Sequence, residues 1–499
     1  MNTLQFNNIT LSDQEDITAF LHRYGNRGCE QTFASMFCWK DAYPTQVCRY
    51  DGLLLLRFCG SGRRMTYLLP FDDARYLRLL PLVQSHAEAH GEVPLFHTGT
   101  TKQTACIREA LPGYGAFYHR ADSDYIYLRT RLATLSGSHL QAKRNLSNQF
   151  KAQYAFVYAP LTAADGPACL QLLEKWQQQK AACHALDDAL RRELDMEARS
   201  IRTAMAHFDT LGLLGGAIRV EDRLVAFCIG AVVTDDTVDV LFEKADEHFH
   251  GLFQTINQQF AAHLPEQYVY INRENDMGLN GLRKAKESYH PEQLLHKPRF
   301  APMTPLMQQV ESLWLQAFPD DTPEDAEQFL LTCFREDRML AACNGDRLVS
   351  MLHMVPFGPS VYFYAIATHP DFRHRGLGSG LVRQALEQCR TQGFKEAVLI
   401  PDSAQAAEWY GRMGFAGSHS VRFNPADACD DFALCNGYDY GKGDGTPDLA
   451  MVCPLSDDAP QHTGELLLTT APATAAGSPC TAPAGISQLS SSSSTKSSC

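Results

Sequence analysis

Residues 361–380 read VYFYAIATHPDFRHRGLGSG, and what this stretch folds into decides what the second half of the chain is. Val361 to Thr368 is rich in aromatic and apolar residues and predicts a strand. His369 to Gly380 is broken by Pro370, Gly376, Gly378 and Gly380, which predicts a turn opening a helix over about Leu381 to Gln392. A strand that feeds a glycine-rich turn and a helix start gathers unpaired N–H groups, and the helix macrodipole adds positive potential there. Such a turn binds phosphates. Gly376 and Gly378 let the backbone approach an anion with no Cβ in the way, Ser379 offers a hydroxyl, and Arg373 and Arg375 supply charge.

Two familiar phosphate motifs do not fit. No third glycine completes GxGxxG with a following acidic residue, and no GxxxxGK[ST] occurs. Lys442 among Gly437, Gly441 and Gly443 misses the second spacing, so Gly437 to Gly445 reads as a flexible loop.

Around the turn, periodicity predicts helices near Pro305 to Phe318 and Glu324 to Phe334, then strands Met339 to Asn344 and Leu348 to Val355. After it come a strand at Ala397 to Ile400 and a helix at Ala404 to Met413. The turn carries RxxGxG at Arg373, Gly376 and Gly378; the last helix carries AxxxYxxxGF at Ala406, Tyr410, Gly414 and Phe415. In this order, over about Thr304 to Pro454, the paired motifs resemble the GNAT acyltransferase family, with Ser403 where that family commonly has Asn.

The resemblance implies acetyl-CoA, or another acyl-CoA, as cosubstrate. Its pyrophosphate would lie on the amides of His374, Arg375, Gly376, Leu377, Gly378, Ser379 and Gly380, beside Arg373, and its pantetheine arm along Ala365, Ile366, Ala367 and Thr368. A backbone N–H aimed at the thioester carbonyl would stabilise the oxyanion formed when an amine attacks, with no covalent enzyme intermediate. Tyr410 becomes the catalytic general acid for the departing thiolate. From periodicity alone, Trp409, Tyr410, Met413 and Phe415 read as core packing, and the resemblance reverses that preference. His353 and Tyr364 are candidates for a general base, but a strand histidine reads first as a hydrogen-bonded structural residue, so the base is unassigned.

The chain has 499 residues, a hydrophobic fraction of 45% and a mean hydropathy of -0.25, the composition of ordinary globular cores. At typical domain sizes this length holds about three units. Against 44 Lys and Arg stand 57 Asp and Glu, and the formal charge of -13 disfavours nonspecific nucleic-acid binding. Sixteen cysteines without a CxxC pair point to reduced thiols and a cytoplasmic setting. Met1 to Asp16 lacks the pattern of a secretory signal, and apolar runs such as Leu53 to Leu56 fall far short of a membrane span, so no integral membrane segment is expected.

Ser456 to Cys499, built of Ser, Thr, Ala, Pro and Gly, reads as a disordered tail. A seam at Pro298, Pro302 and Pro305 separates the N-terminal region, which itself divides near residue 130. The expected domains are therefore 1–130, 131–297 and 304–455, followed by 456–499. In the N-terminal region Leu53 to Phe58 and Tyr125 to Arg129 read as strands. Helices follow at Gly137 to Tyr154, Ala168 to Lys180 and Ala189 to His207, then strands at Gly215 to Val220, Leu224 to Val232 and Val238 to Phe242, and a helix at Gly251 to His263. Helices followed by antiparallel strands give an α+β class.

The N-terminal region holds a distinctive set: Asp124 to Leu128, Leu135 to Gly137, Lys143 to Asn145, Glu243 to Asp246, Gly251, Ile256 and Asn257. It continues through Asn272, Arg273, Glu274, Asp276, Gly278, Gly281 to Lys284, Lys286, Tyr289 and Pro291. Over about Phe6 to Lys297 these resemble the family similar to the C-terminal domain of phosphatidylglycerol lysyltransferases. That resemblance implies two GNAT-like folds in tandem, and it suggests transfer of an aminoacyl group with aminoacyl-tRNA as a partner.

Two basic stretches, Arg129, Arg131, Lys143, Arg144 and Lys151, then Arg283, Lys284, Lys286, Lys297 and Arg299, could meet phosphates but read first as solvated helix faces. His248 and His250 read as a polar loop, and no metal is expected. Cys228 and Cys389 read as small buried hydrophobes. The sequence thus predicts an acyl-CoA-dependent N-acetyltransferase acting on a small-molecule or peptide amine. Its rivals are aminoacyl transfer from tRNA by the N-terminal region, or an N-terminal binding module that presents the acceptor.

Overall fold

The computed structural model describes residues 3–59, 64–183, 188–423, 449–462, 466–468 and 486–488. The chain forms two compact units, Met1–Pro112 with Ala121–Ala301, and Gly113–Arg120 with Pro302–Cys499. The change of unit at Pro302 falls in the proline seam. Gly113–Arg120, which the sequence reading assigns to the N-terminal half, goes with the second unit.

The first unit has two sheets. One runs in the order Asn7–Asn8, Thr45–Tyr50, Leu53–Cys59, Met65–Leu68, Leu95–His97, Arg299–Pro302, Tyr114–Phe117. Its central hairpin turns at Asp51 and Gly52, both at positive φ (50° and 72°), the two-residue Asp-Gly turn whose twist matches antiparallel strands. The other sheet runs Gln293–Leu295, Asp124–Leu128, Tyr270–Asn272, Thr237–Ala245, Arg223–Thr234, Leu214–Val220, Phe156–Pro160. Asp124–Leu128 precedes the midpoint expected at 130 yet belongs to this second sheet. Helix Leu252–His263 buries Leu252, Ile256, Phe260 and Ala261 in a core with Tyr125, Tyr127 and Phe150, the spacing of one helical face.

The second unit is built on one mixed sheet. Its strands run Leu466–Leu468, Ala416–Phe423, Leu449–Pro454, Glu396–Leu399, Ser360–Thr368, Arg347–Phe357, Met339–Asn344, Ile486–Gln488. Alternation along Ser360–Thr368 sends Val361 and Phe363 into one core and Tyr362 into another. Helices Pro305–Ala317 and Pro323–Thr332 complete the second core, and helices Leu377–Thr391 and Ala404–Gly411 the first. The earlier pair starts where the sequence signals it: Thr304 accepts from the Met307 amide at 3.2 Å, Thr322 and Asp325 form a capping box, and Pro305 and Pro323 occupy the first turns. Of the segment expected as a disordered tail, Leu466–Leu468 and Ile486–Gln488 are strands at the two edges of this sheet. Most of the rest of that segment, like Gly437 to Gly445, lies outside the described residues.

Candidate functional site

Strand Ser360–Thr368 is bulged. Met351 pairs with its Ala367 and His353 with its Tyr364, so the strand carries one extra residue between those pairs, and Ala365 is held at φ 51°. On its other side it pairs with Glu396–Leu399 only at Ser360, Val361 and Tyr362. From Phe363 onward that edge has no strand partner among the described residues. The two neighbours part where the bulge begins, leaving a length of backbone free to pair with an extended ligand.

Thr368 leads straight into the turn. Arg373 Nε donates to the Thr368 carbonyl at 3.2 Å, Arg375 donates to the Asp371 carbonyl at 2.9 Å, and His369 contacts the Arg347 guanidinium at 2.6 Å. Gly376 caps helix Leu377–Thr391 at φ 78°, a left-handed conformation that favours glycine, and His374 lies at φ 61°. The helix begins at Leu377, four residues before the predicted start at Leu381, because its first turn holds glycines that read locally as breakers. The first intrahelical bond is Gly380 N–H to the Gly376 carbonyl at 2.9 Å, so the amides of Leu377, Gly378 and Ser379 precede it. A Cβ on Gly378 would stand 3.3 Å from Thr368 Oγ1 and 3.5 Å from Trp409, so that position is narrow as well as bare. His374, Arg375 and Gly376 are exposed.

Tyr410 lies in the last turn of helix Ala404–Gly411, which Ser403 caps by accepting from the Ala406 amide at 3.1 Å. The ring is buried between Trp409, at 4.7 Å between centroids, and Phe415, at 6.0 Å. Burial, with the nearby Asp402 charge, pushes the phenol pKa up, so it holds its proton at neutral pH. Tyr410 is thus a core residue that keeps its phenol proton. His353 is buried, its Nε2 accepts from the Arg335 amide at 3.1 Å, and its ring meets Phe329 edge-on at 5.1 Å, as a structural histidine would.

A second polar cluster lies inside the first unit. Lys297 Nζ stands 2.5 Å from Glu30, 2.7 Å from Asp124 and 3.2 Å from the Cys29 sulfur. Asp124 also accepts from the Cys29 amide at 2.7 Å and from Asn272 at 2.9 Å. Cys29, Glu30 and Asp124 group as metal ligands would, but the lysine ammonium supplies the cation among them. Burial would raise the Glu30 carboxyl, yet Lys297 outweighs it and holds it at about 2. Next to Asn272 in the sheet register is Asp239, fully buried, with no hydrogen-bond partner at either carboxylate oxygen among the described residues. Burial, then Glu274 and Asp124, push its pKa well up. Glu274, at φ 56°, is raised to about 8 by burial against the pull of Lys286. Lys286 donates to the Arg273 carbonyl and, at 2.6 Å, to that of Asn275. Arg273 pairs with Glu243 at 3.1 Å, and Asn257 reaches Glu243 at 3.3 Å.

The family model described as phosphatidylglycerol lysyltransferase, C-terminal, matches residues 21–299, more than half of the chain. The chain belongs to that family. A second model, the acetyltransferase (GNAT) family, matches residues 306–415, so the phosphatidylglycerol lysyltransferase C-terminal region is joined here to a GNAT acetyltransferase domain. A crystal structure of a conserved protein of unknown function from Bacteroides thetaiotaomicron is 34% identical, with a TM-score of 0.55 over 60% of this chain and 100% of its own. An uncharacterized protein of Mycoplasmoides gallisepticum is 25% identical over 179 residues, 36% of this chain, and this chain spans 56% of that relative's length. A GNAT family N-acetyltransferase of Escherichia coli, solved in complex with CoA, is 20% identical, with a TM-score of 0.24 over 33% of this chain and 86% of its own.

The residues that carry the resemblance to the lysyltransferase C-terminal family converge in the tertiary structure. Asp124, Asn257, Asn272, Arg273, Glu274, Lys286 and Glu243 join the polar cluster, and Tyr125 donates to Asp276 at 2.7 Å. Most members of the basic stretches staple the fold instead of lining a bare solvated face. Arg129 donates to the Tyr268 carbonyl at 2.9 Å, Arg144 to the Leu135 carbonyl at 2.5 Å, Lys151 to Gln258 at 2.7 Å, and Arg283 to Asp276 at 2.9 Å. His248 bonds Asp246 at 2.9 Å, and Cys228 and Cys389 are fully buried. Sequence reasoning missed Asp239, Cys29 and Glu30 and placed Lys297 only in a basic run. A lone Asp inside the apolar strand at 238–242 was the one signal that could have exposed Asp239. No helix among the described residues is long and apolar enough to cross a membrane.

Proposed function

We propose that the C-terminal unit transfers an acetyl group from acetyl-CoA to an amine by direct attack. The observation that carries this reading is the bulged, half-unpaired strand Ser360–Thr368 running into the open start of helix Leu377–Thr391. The residues present fit the cosubstrate: bare Gly376 and Gly378, amides ahead of the first intrahelical bond, and exposed Arg373 and Arg375 suit a diphosphate. In this reading the amides from His374 to Gly380 hold the pyrophosphate, and the backbone of Ile366, Ala367 and Thr368 pairs with the pantetheine arm. When bound, the cosubstrate supplies an activated thioester. A backbone N–H on the free edge of the strand then faces developing negative charge on the carbonyl oxygen, where a fixed donor is worth most. Tyr410, held protonated, gives its proton to the departing sulfur. His353 is committed to the Arg335 backbone, so the base stays unassigned and water is the simplest proton acceptor. Titration of the full chain with CoA, followed by a thiol-release assay with polyamines, amino acids, aminoglycosides and peptides, tests the reading. Absence of CoA binding overturns it.

A second reading concerns the N-terminal region, where one observation favours aminoacyl transfer. Asp239 is a buried carboxyl with no hydrogen-bond partner among the described residues, in a cluster where carboxylates outnumber the cations. Such a group is costly unless a cationic group meets it, as the ammonium of an aminoacyl moiety would. Binding of lysinamide or alaninamide that Asp239→Asn abolishes, together with salt-sensitive binding of aminoacyl-tRNA, supports this reading. Binding without turnover would leave the region as a module that presents the acceptor.

A further inference from the structure

The acetyltransferase unit contains a strand from far upstream. Tyr114–Phe117, part of the excursion Gly113–Arg120, follows Arg299–Pro302 in its own sheet's strand order and also lies along helix Pro323–Thr332. The helix holds it by side chains that imitate a strand edge. Glu327 accepts from the Ala116 amide at 2.8 Å. Gln328 accepts from the Tyr118 amide at 2.9 Å and donates to the Tyr118 carbonyl at 2.7 Å, as a paired residue in a sheet would. Glu327 is buried, so the bond is shielded from water. Gly115 permits the approach, because a Cβ there would stand 2.9 Å from Met303 and 3.0 Å from Glu327.

The next residue of that helix faces the reaction strand. Phe329 packs on Tyr364 at 5.0 Å and on His353 at 5.1 Å, and Tyr364 immediately precedes the bulge residue Ala365. Trp314, from the neighbouring helix, reaches the same Tyr364 at 5.7 Å. A continuous line of packed groups therefore runs from the inserted strand, through Glu327, Gln328 and Phe329, to the bulge. By contrast, the anion-facing turn at Arg373 to Gly380 is built on Thr368, Asp371 and the start of helix Leu377–Thr391.

We propose that Glu327 and Gln328 are positioning residues for acyl transfer, which act by clamping the strand Tyr114–Phe117 to the helix that seats Tyr364 beside the bulge. The inference rests on the acetyltransferase reading. It separates two properties that a simple domain would tie together: holding CoA and placing the acyl carbon for attack.

The test uses the full chain with Glu327→Ala, Gln328→Ala and the conservative Glu327→Gln, which keeps an oxygen to accept from Ala116. Losing a buried hydrogen bond is expected to lower amide-exchange protection over 114–118 and 326–332 by about tenfold or more in the alanine variants and little in Glu327→Gln. CoA affinity should stay within about threefold, while kcat/KM with the best amine of the panel falls about tenfold, or CoA release by hydrolysis falls if no amine reacts. Rescue by Glu327→Gln separates positioning from bulk packing. Unprotected amides at 114–118 in the wild type, or alanine variants with unchanged transfer, overturn the proposal. A wild type that binds no CoA overturns the underlying reading, while the exchange data still judge the clamp.

Discussion

The Lys297 ammonium stands 2.7 Å from an Asp124 oxygen, with the lysine side chain 5% exposed and the aspartate wholly buried. Removing the lysine leaves Asp124 and Glu30 without their cation, and breaking a buried pair from one side costs about 3–5 kcal/mol. Lys297→Met should therefore lower the unfolding free energy of the first unit by that amount in urea at neutral pH. A loss below about 1 kcal/mol would show that the charge is not buried as described. The signs with pH follow from the shifts. Lys297 is raised, so its contribution is full below the unfolded lysine value and is lost as pH rises through the folded one. Glu30 is depressed to about 2, so its contribution is present above the unfolded carboxylate value and is lost as pH falls through about 2.

Asp239 and Glu274 act in the opposite direction. Each binds its proton more tightly folded than unfolded, so stability is greatest below the unfolded carboxylate value and declines as pH rises toward the folded one, about 8 for Glu274. Glu274→Gln and Asp239→Asn should each be more stable than the wild type at pH 8 and indistinguishable from it near pH 4. Unfolding curves at the two pH values that differ equally from wild type would contradict the assignment.

Gly376 and Gly378 should fail for different reasons. Gly376→Val forces a β-branched residue to φ 78°, where an L-residue is strained by about 1–2 kcal/mol, although no atom lies within contact of its Cβ. Gly378→Val has no such strain but drives its branches toward Thr368 and Trp409. Both should weaken CoA by about tenfold or more in calorimetric titration, since each disturbs the amides that face the anion. Unchanged affinity in both would remove the turn from the site.

Tyr410→Phe keeps the ring between Trp409 and Phe415 and removes only the hydroxyl. Thiol release should fall about 100-fold or more, the range of general-acid catalysis, with CoA affinity unchanged. The melting temperature should move little, because the packing is retained. Full activity in the phenylalanine variant would leave Tyr410 as a core residue alone. Because its pKa is raised, activity should show no alkaline loss from this phenol near its ordinary value of about 10.

Much of the C-terminal unit was legible in advance because its signals are local. Pro305 and Pro323 behind capping threonines, the run Val361 to Thr368, and the glycines after Arg373 each specify backbone conformation within a few residues. The extra residue at Ala365 left no mark, since neither Ala365 nor Ile366 is a turn former and a bulge is a relation between two strands. The inserted strand was invisible for the same reason: Ala116 and Glu327 are 211 positions apart, and a short strand with glycines reads like any other.

In the N-terminal region the sequence identified the family residues without assigning their work. Basic side chains that look solvated in a row turn back onto the fold, and Arg129, Arg144 and Arg283 each find a carbonyl or carboxylate to cap. From the order of residues alone came the α+β class, the glycine turn with its phenol downstream, and the resemblance to two transferase families, because propensity and motif spacing are properties of neighbours. Tertiary structure alone decided that Lys297 supplies the cation between Cys29, Glu30 and Asp124, that Asp239 stands unpaired among the described residues, and that a distant strand packs on a helix of the acetyltransferase unit. These depend on burial and through-space distance, which set charge and hydrogen bonding and which no local pattern encodes.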